Sequence, residues 1–225
     1  MNNSAKKGIS TMEFAFSMLV LTPLLLGTGV TGINMIRTLA TVQLARDAGH
    51  MYARGLDFAP PEPGNQTILK NLGSNLGLNT DGTGTAVVIF STLAYIDKAA
   101  CAGQGLVDGA GNPSSACTNY TRWVFANRVV VGNTSVRTSN YGSPLTSGPT
   151  GVTIDSTTGN ISVPDQVTKA GARATFTGVN PYSSVNGNVS GLPSGQVLYL
   201  AEAAATGFSM PPFVNGSATY SWGLF

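Results

Sequence analysis

From Phe14 to Ile36 the chain carries no charged side chain, and the run holds Phe14, Phe16, Met18, Leu19, Val20, Leu21, Leu24, Leu25, Leu26, Val30, Ile33 and Ile36. At about 1.5 Å per residue, a helix over this run crosses the roughly 30 Å hydrocarbon core of a bilayer. Lys6 and Lys7 stand just before it, which by the positive-inside tendency leaves the N-terminus cytoplasmic and sends the rest outward. Arg37 and Arg46, on the far side, weaken that bias without reversing it. A cleavable signal peptide also has a basic start and an apolar stretch, but a shorter one followed by a small-x-small cut site. Here the helical pattern continues from Arg37 to Arg46, so a retained anchor is expected.

Glu13 is the anomaly at the start of this run. A carboxylate in lipid is costly and marks a functional position needing a partner, unless headgroups at the interface solvate it. Gly27-Thr28-Gly29-Val30-Thr31-Gly32 matches the spacing of the dinucleotide-binding glycine fingerprint. That fingerprint requires a strand before it and a helix after it, whereas this one lies inside a run of helix length. Small residues at such spacings let helices approach closely in lipid, and Pro23 with these glycines weakens the local helix.

Lys6-Lys7-Gly8-Ile9-Ser10-Thr11-Met12-Glu13-Phe14 resembles the processing site of type IV pilins and their relatives. Within that superfamily the first quarter of the chain is most similar to the TadE-like proteins of tight-adherence pili. The similarity rests on Met12-Glu13-Phe14-Ala15-Phe16, on the Leu-rich stretch broken by Pro23, and on Leu44-Ala45-Arg46-Asp47-Ala48-Gly49-His50-Met51-Tyr52-Ala53-Arg54. The Gly27 to Gly32 patch departs from the usual pattern, in which Leu, Ile and a further acidic residue are commoner. The resemblance implies that a prepilin peptidase cuts between Gly8 and Ile9, making Glu13 the fifth residue of the mature chain. It further implies that Glu13 of one subunit pairs with the new amine on Ile9 of a neighbour, each offsetting the other's desolvation and setting the axial register.

Past the apolar run, Ile33, Ile36, Ala40, Leu44, Ala48 and Met51 fall at three- and four-residue steps, an amphipathic stripe. Asn34, Arg37, Thr41, Arg46 and Asp47 take other positions, so the stripe is expected on the chain's own domain and the opposite face toward neighbours. The helix should end near Gly55, ahead of Pro60-Pro61-Glu62-Pro63-Gly64. A short helix is expected over Gln66 to Leu76, and buried strands over Thr85 to Ile96 and Arg122 to Val131. Gln196 to Phe208 reads as a strand in its first half, while Ala201 to Ala205 favours helix. Short strands are candidates at Gly151 to Ile154, Ile161 to Val163 and Ala172 to Thr177 in a loop-rich stretch from Thr134 to Ser194. The apolar end, Tyr220 to Phe225, is expected to dock on the domain or on a partner.

Only 10% of the residues are charged, Gly counts 28, and the net charge of +2 rests on Lys6 and Lys7. The other arginines are scattered singly, without the basic stripe that a phosphate backbone demands, so nucleic acid is not an expected partner. Cys101 and Cys117 flank a Gly-, Asn-, Pro- and Ser-rich spacer that suits an extracytoplasmic disulfide; two unrelated buried thiols are the alternative. With one histidine, His50, the chain offers no zinc set, no cofactor motif and no nucleophile motif to join Asp47 and His50 in catalysis. The aspartates adjoin turn residues, and Asn133-Thr134-Ser135 and Asn188-Val189-Ser190 are expected by chance in this composition.

The expected architecture is α+β: a long N-terminal helix, then an antiparallel β-rich domain with long loops. Residues 1–8 form a basic leader, 9–57 the transmembrane and assembly helix, and 58–225 an extracytoplasmic domain. The expected function is structural and not enzymatic: a pilin-like subunit, inserted in the inner membrane as a precursor and carried to the cell surface in a pilus. Its partners would be other pilin-like subunits and the prepilin peptidase, through Gly8, Ile9, Glu13 and the helix marked by Phe14, Pro23, Gly27 and Ile36. The alternatives are a pseudopilin of a secretion system and a single-pass membrane-anchored binding module.

Overall fold

The computed structural model describes residues 3–60, 63–176, 183–185, 188–190, 195–211 and 215–225, and the side chains among them except those of 3–10, 63, 183–185 and 188–190. One helix, α1 (Asn3–Ala53), is followed by α2 (Pro63–Leu72), β1 (Ala86–Tyr95), α3 (Lys98–Gly103), β2 (Trp123–Gly132), α4 (Val163–Thr168), β3 (Ser183–Val185), β4 (Asn188–Ser190), β5 (Val197–Ala205) and β6 (Thr219–Leu224). Short 3₁₀ turns occupy Ser74–Leu76 and Ala170–Ala172. The main sheet is antiparallel, with strand order β2-β1-β5-β6. The α+β class and the long N-terminal helix followed by an antiparallel sheet are therefore as the sequence predicts.

β1 is central and its first six residues are all buried, in keeping with the unbroken apolar run from Ala86 to Phe90. On one face Ala86, Val88 and Phe90 of β1 join Val129, Val131, Ala201, Ala203 and Ala205 beneath Leu44, Ala45, Ala48 and Tyr52 of α1. Phe58 stacks on Phe90 with ring centroids 4.6 Å apart and closes this layer below the end of the helix. A bulge shifts the β1–β2 register after Thr92, so that Leu93 pairs with Phe125 and Ala126 is passed over. On the opposite face Leu93, Phe125 and Leu200 pack with Ile161, Val167 and the disulfide-bonded Cys101 and Cys117.

Three expectations are corrected. The alanine run Ala201 to Ala205 is strand throughout, paired on both sides to β1 and β6. Ladder bonds on two edges outweigh the helix preference of alanine, and the small side chains let Ala45 and Ala48 of α1 come close. Of the candidate short strands, Ile154 and Ile161 make only an isolated bridge, and Val163 begins helix α4. Ser162 caps that helix, its Oγ accepting from the Asp165 amide at 3.3 Å, with Pro164 in the first turn. Near Ala172, Arg173 bridges Val124 singly, and Thr177 lies outside the described residues.

The face of α1 that meets the domain is the third correction. Thr41, Leu44, Ala45, Ala48 and Tyr52 are buried, whereas Ile33 and Ile36 of the expected stripe are exposed. Asn34 and Thr41, expected outward, turn inward because each finds a polar partner there. Thr41 Oγ1 lies 2.8 Å from Thr219 Oγ1, and Asn34 makes two hydrogen bonds to the main chain of Phe208. The C-terminal segment docks on its own domain as β6, and the Phe225 ring sits edge-on to His50, centroids 4.7 Å apart. Gly49 is required there, since a Cβ would collide with that ring.

Candidate functional site

The outer half of α1 is the part of the molecule that its own fold leaves unfinished. Every large apolar side chain from Met12 to Leu25 is exposed: Met12, Phe14, Phe16, Met18, Leu19, Val20, Leu21, Leu24 and Leu25. α1 is long and apolar enough to cross a membrane, as an anchor or as a signal sequence would be. Three of its hydroxyls are satisfied within the helix, Ser17 Oγ donating to the Glu13 carbonyl at 2.8 Å, Thr28 Oγ1 to the Leu25 carbonyl at 2.9 Å and Thr31 Oγ1 to the Gly27 carbonyl at 2.8 Å. No hydroxyl in that trio is left to be desolvated without a partner. Pro23 lies within the helix, where it lacks the amide that would bond the Leu19 carbonyl.

Glu13 stands exposed among these side chains, the only charged residue between Lys7 and Arg37. Among the described residues no cation pairs with it, the one ion pair there being Lys169 to Asp165 at 3.4 Å. Gly8 and Ile9 belong to the same continuous helix, while the Ile9, Lys6 and Lys7 side chains lie outside the described residues. Gly27, Gly29 and Gly32 lie within α1 too, so the strand–turn–helix context of a nucleotide site is absent at this pattern. A Cβ on any of the three would meet nothing within 4 Å, which leaves that side of the helix open to close approach.

Apolar exposure continues beyond the glycines. Ile33, Met35, Ile36, Leu39 and Val42 are all exposed on α1 while the domain covers the other side of the helix. From Met12 to Val42 the exposed apolar surface is about 45 Å long, against roughly 30 Å of bilayer core.

At the opposite end of the molecule lies a cleft of about 850 Å³, lined by Tyr95, Asp97, Lys98, Ala99, Ala102, Tyr120 and Thr121. The end is opposite because β6 runs alongside α1 from Thr219 near Thr41 to Phe225 near His50, and Tyr95 lies past the Val197 end of β5. Asp97 caps α3 through the Ala100 amide at 2.7 Å, and Lys98 Nζ reaches Asn112 Oδ1 at 3.3 Å across the cystine loop. The bond between Cys101 and Cys117 closes that loop over a separation of 16 residues. Thr121 is the one non-glycine among the described residues in the left-handed region, with φ of 62°. Burial pushes the Tyr95 phenol above its usual range.

Sequence reasoning missed a buried polar cluster on the face away from α1. Glu202, 1% exposed, accepts from Tyr220 Oη at 2.6 Å, from Ser139 Oγ and from the Asn140 amide. Arg128 donates to Ser91 Oγ at 2.6 Å, to the Gly142 carbonyl and to Ser143 Oγ. Burial lowers the Arg128 guanidinium and raises the Tyr220 phenol, which the hydrogen bond to Glu202 raises further. The cluster holds the loop 137–143 on the sheet. Its signal was one lone charge in each of two apolar strands. Among the described residues no group of three or more His, Cys, Asp or Glu is placed to hold a metal ion. No family model, curated protein or solved structure matches the chain.

Proposed function

We propose that the protein is a pilin-like structural subunit, not an enzyme, inserted through α1, cut after Gly8 by a prepilin peptidase and assembled with other such subunits in a tight-adherence or type IV-like pilus. The observation that carries this reading is the apolar surface of α1, longer than a bilayer core and left exposed along its whole outer side. Lipid covers about two-thirds of that length, and a neighbouring subunit's helix covers the remainder and replaces lipid on assembly. Glu13 fits the same reading as the charge that meets the Ile9 amine of a neighbour. A pseudopilin of a secretion system would use the same helix in the same way.

The test is the N-terminal sequence of the protein in its native envelope, with and without the peptidase, together with the behaviour of Glu13→Gln. Cleavage before Ile9 that depends on the peptidase, and loss of assembly with normal membrane insertion in Glu13→Gln, are the expected results. A start at Met1 under both conditions, or unimpaired assembly of Glu13→Gln, would sink the reading. A second reading, a membrane-anchored binding module, is favoured by the aromatic cleft at Tyr95 and Tyr120, which lies at the end of the molecule farthest from the anchor. That module tolerates Glu13→Gln.

A further inference from the structure

We propose that the segment from Thr206 to Pro211 is a lipid-contacting foot, which sets the Phe208 ring in the interfacial layer of the bilayer from which α1 emerges. This rests on the membrane-inserted state in the proposed function and adds to it where the domain sits. Along α1 from Met12, the first fully buried side chain among the described residues is Val30, 3% exposed. The helix from Ile9 to Gly29 is about 20 residues long and rises roughly 30 Å, the thickness of the hydrocarbon core. The domain therefore begins where the bilayer ends, with no stalk between them.

Asn34, one turn beyond Val30, holds the segment at that level. Its Oδ1 accepts from the Phe208 amide at 2.7 Å, and its Nδ2 donates to the Phe208 carbonyl at 3.2 Å. Both bonds go to the main chain, so the ring is free to point elsewhere, and Phe208 is 36% exposed. Ser209 and Pro211 are exposed beside it and Met210 is half-buried. No charged residue occurs from Ala203 to the end of the sequence, so lifting this surface from water strips no ion of its hydration. The base of the segment is tightly built: a Cβ on Gly207 would collide with the Ser217 carbonyl, and one on Gly216 with Gly207. Arg37, the first charge on α1 after Glu13, lies one turn above Asn34, at the level of headgroup phosphates. An aromatic ring at the headgroup boundary with a cation just above it is the arrangement of a membrane-interface anchor.

The experiment places a nitroxide on Phe208→Cys in the full, disulfide-intact chain, reconstituted at low density in vesicles of phosphatidylethanolamine and phosphatidylglycerol. Collision with oxygen and with a water-soluble nickel chelate is then compared with labels at Leu21→Cys and Leu145→Cys. The expected result is a severalfold lower nickel collision rate at 208 than at 145, and partial restoration when Asn34→Ala releases the segment. A label at 208 as open to nickel as that at 145, while 21 stays in lipid, overturns the foot and leaves the membrane-inserted reading intact. A label at 21 open to nickel overturns both. Protection at 208 that appears only at high protein density identifies a second copy of the chain as the occupant and also overturns the proposal.

Discussion

The two halves of α1 are one continuous helix, of which the domain covers the inner half and leaves the outer half bare. The outer half exposes every large apolar side chain from Met12 to Leu25, and the hydroxyls of Ser17, Thr28 and Thr31 bond carbonyls of the same helix. The inner half buries Thr41, Leu44, Ala45, Ala48 and Tyr52, and its polar groups reach across to Thr219, Thr92 and Asn127. A bare apolar surface leaves its mark in composition, so an uncharged run alone identifies the outer half. A protein neighbour asks for matched shape and matched hydrogen bonds, and these are not visible in a hydropathy pattern.

The largest effect that separates the halves is the loss of a leucine from each. Leu44 is almost fully buried beneath the sheet, so Leu44→Ala should destabilise the domain by about 2–5 kcal/mol. Leu21 is exposed, and Leu21→Ala should leave domain stability within about 0.5 kcal/mol. Denaturant unfolding of the full chain in detergent, followed by near-UV circular dichroism, measures both. Equal losses would mean that the outer half also packs on the domain.

Next in size is the cystine at the far end from the outer half. Replacing Cys101 and Cys117 together by Ser should cost roughly 3 kcal/mol, the entropy of a loop of this size in the unfolded chain. Insertion of α1 into membranes, assayed by alkaline extraction, should be unchanged. Lost insertion would show that the anchor depends on the folded domain.

Tyr52 gives the inner half a titratable marker. Burial pushes its phenol up from 10.0 to about 12, against the weaker opposing hydrogen bond from Thr92. The folded state therefore favours the neutral form: its advantage is complete below pH 10 and is lost as pH rises through about 12. On the order of 2–3 kcal/mol of stability should fade across that window, and Tyr52→Phe should flatten the slope measured by denaturant unfolding at successive alkaline pH values. An unchanged slope would mean that the ring is solvated.

The helix, the two long strands and the cystine were legible because each leaves a strong local signal: an uncharged run, two buried apolar segments, and a turn-rich spacer between two cysteines. The β5 alanines were not, since their state is decided by β1 and β6 pairing from either side. Nor was helix α4, although Ser162 with Pro164 and Asp165 was a readable N-terminal signature. The inward face of α1 misled because Ile33 and Ile36 look like core residues and Asn34 and Thr41 do not. Their partners, Phe208 and Thr219, lie far along the sequence. Of the candidate site, the apolar run and Glu13 were read directly, while the reach of apolar exposure up to Val42 needed the domain's position on the helix.

The smallest effect tests that inward polar face most directly. Thr41 Oγ1 donates to the Arg37 carbonyl at 2.8 Å and also lies 2.8 Å from Thr219 Oγ1, which itself reaches the Ala205 carbonyl at 3.2 Å. Thr41→Val keeps the shape and removes the cross-link between α1 and β6, so a loss of about 1 kcal/mol is expected, the net worth of one such bond. The matched change in the outer half is Thr31→Val, whose hydroxyl bonds only the Gly27 carbonyl one turn back and whose side chain is exposed. It should leave domain unfolding unchanged, since the bond it removes is made whether or not the domain is folded. Two threonines ten positions apart on one helix then differ only in whether a strand stands opposite. Equal losses from the two changes would mean that both act through the helix itself, and that the contact between Thr41 and Thr219 contributes nothing to holding the domain on α1.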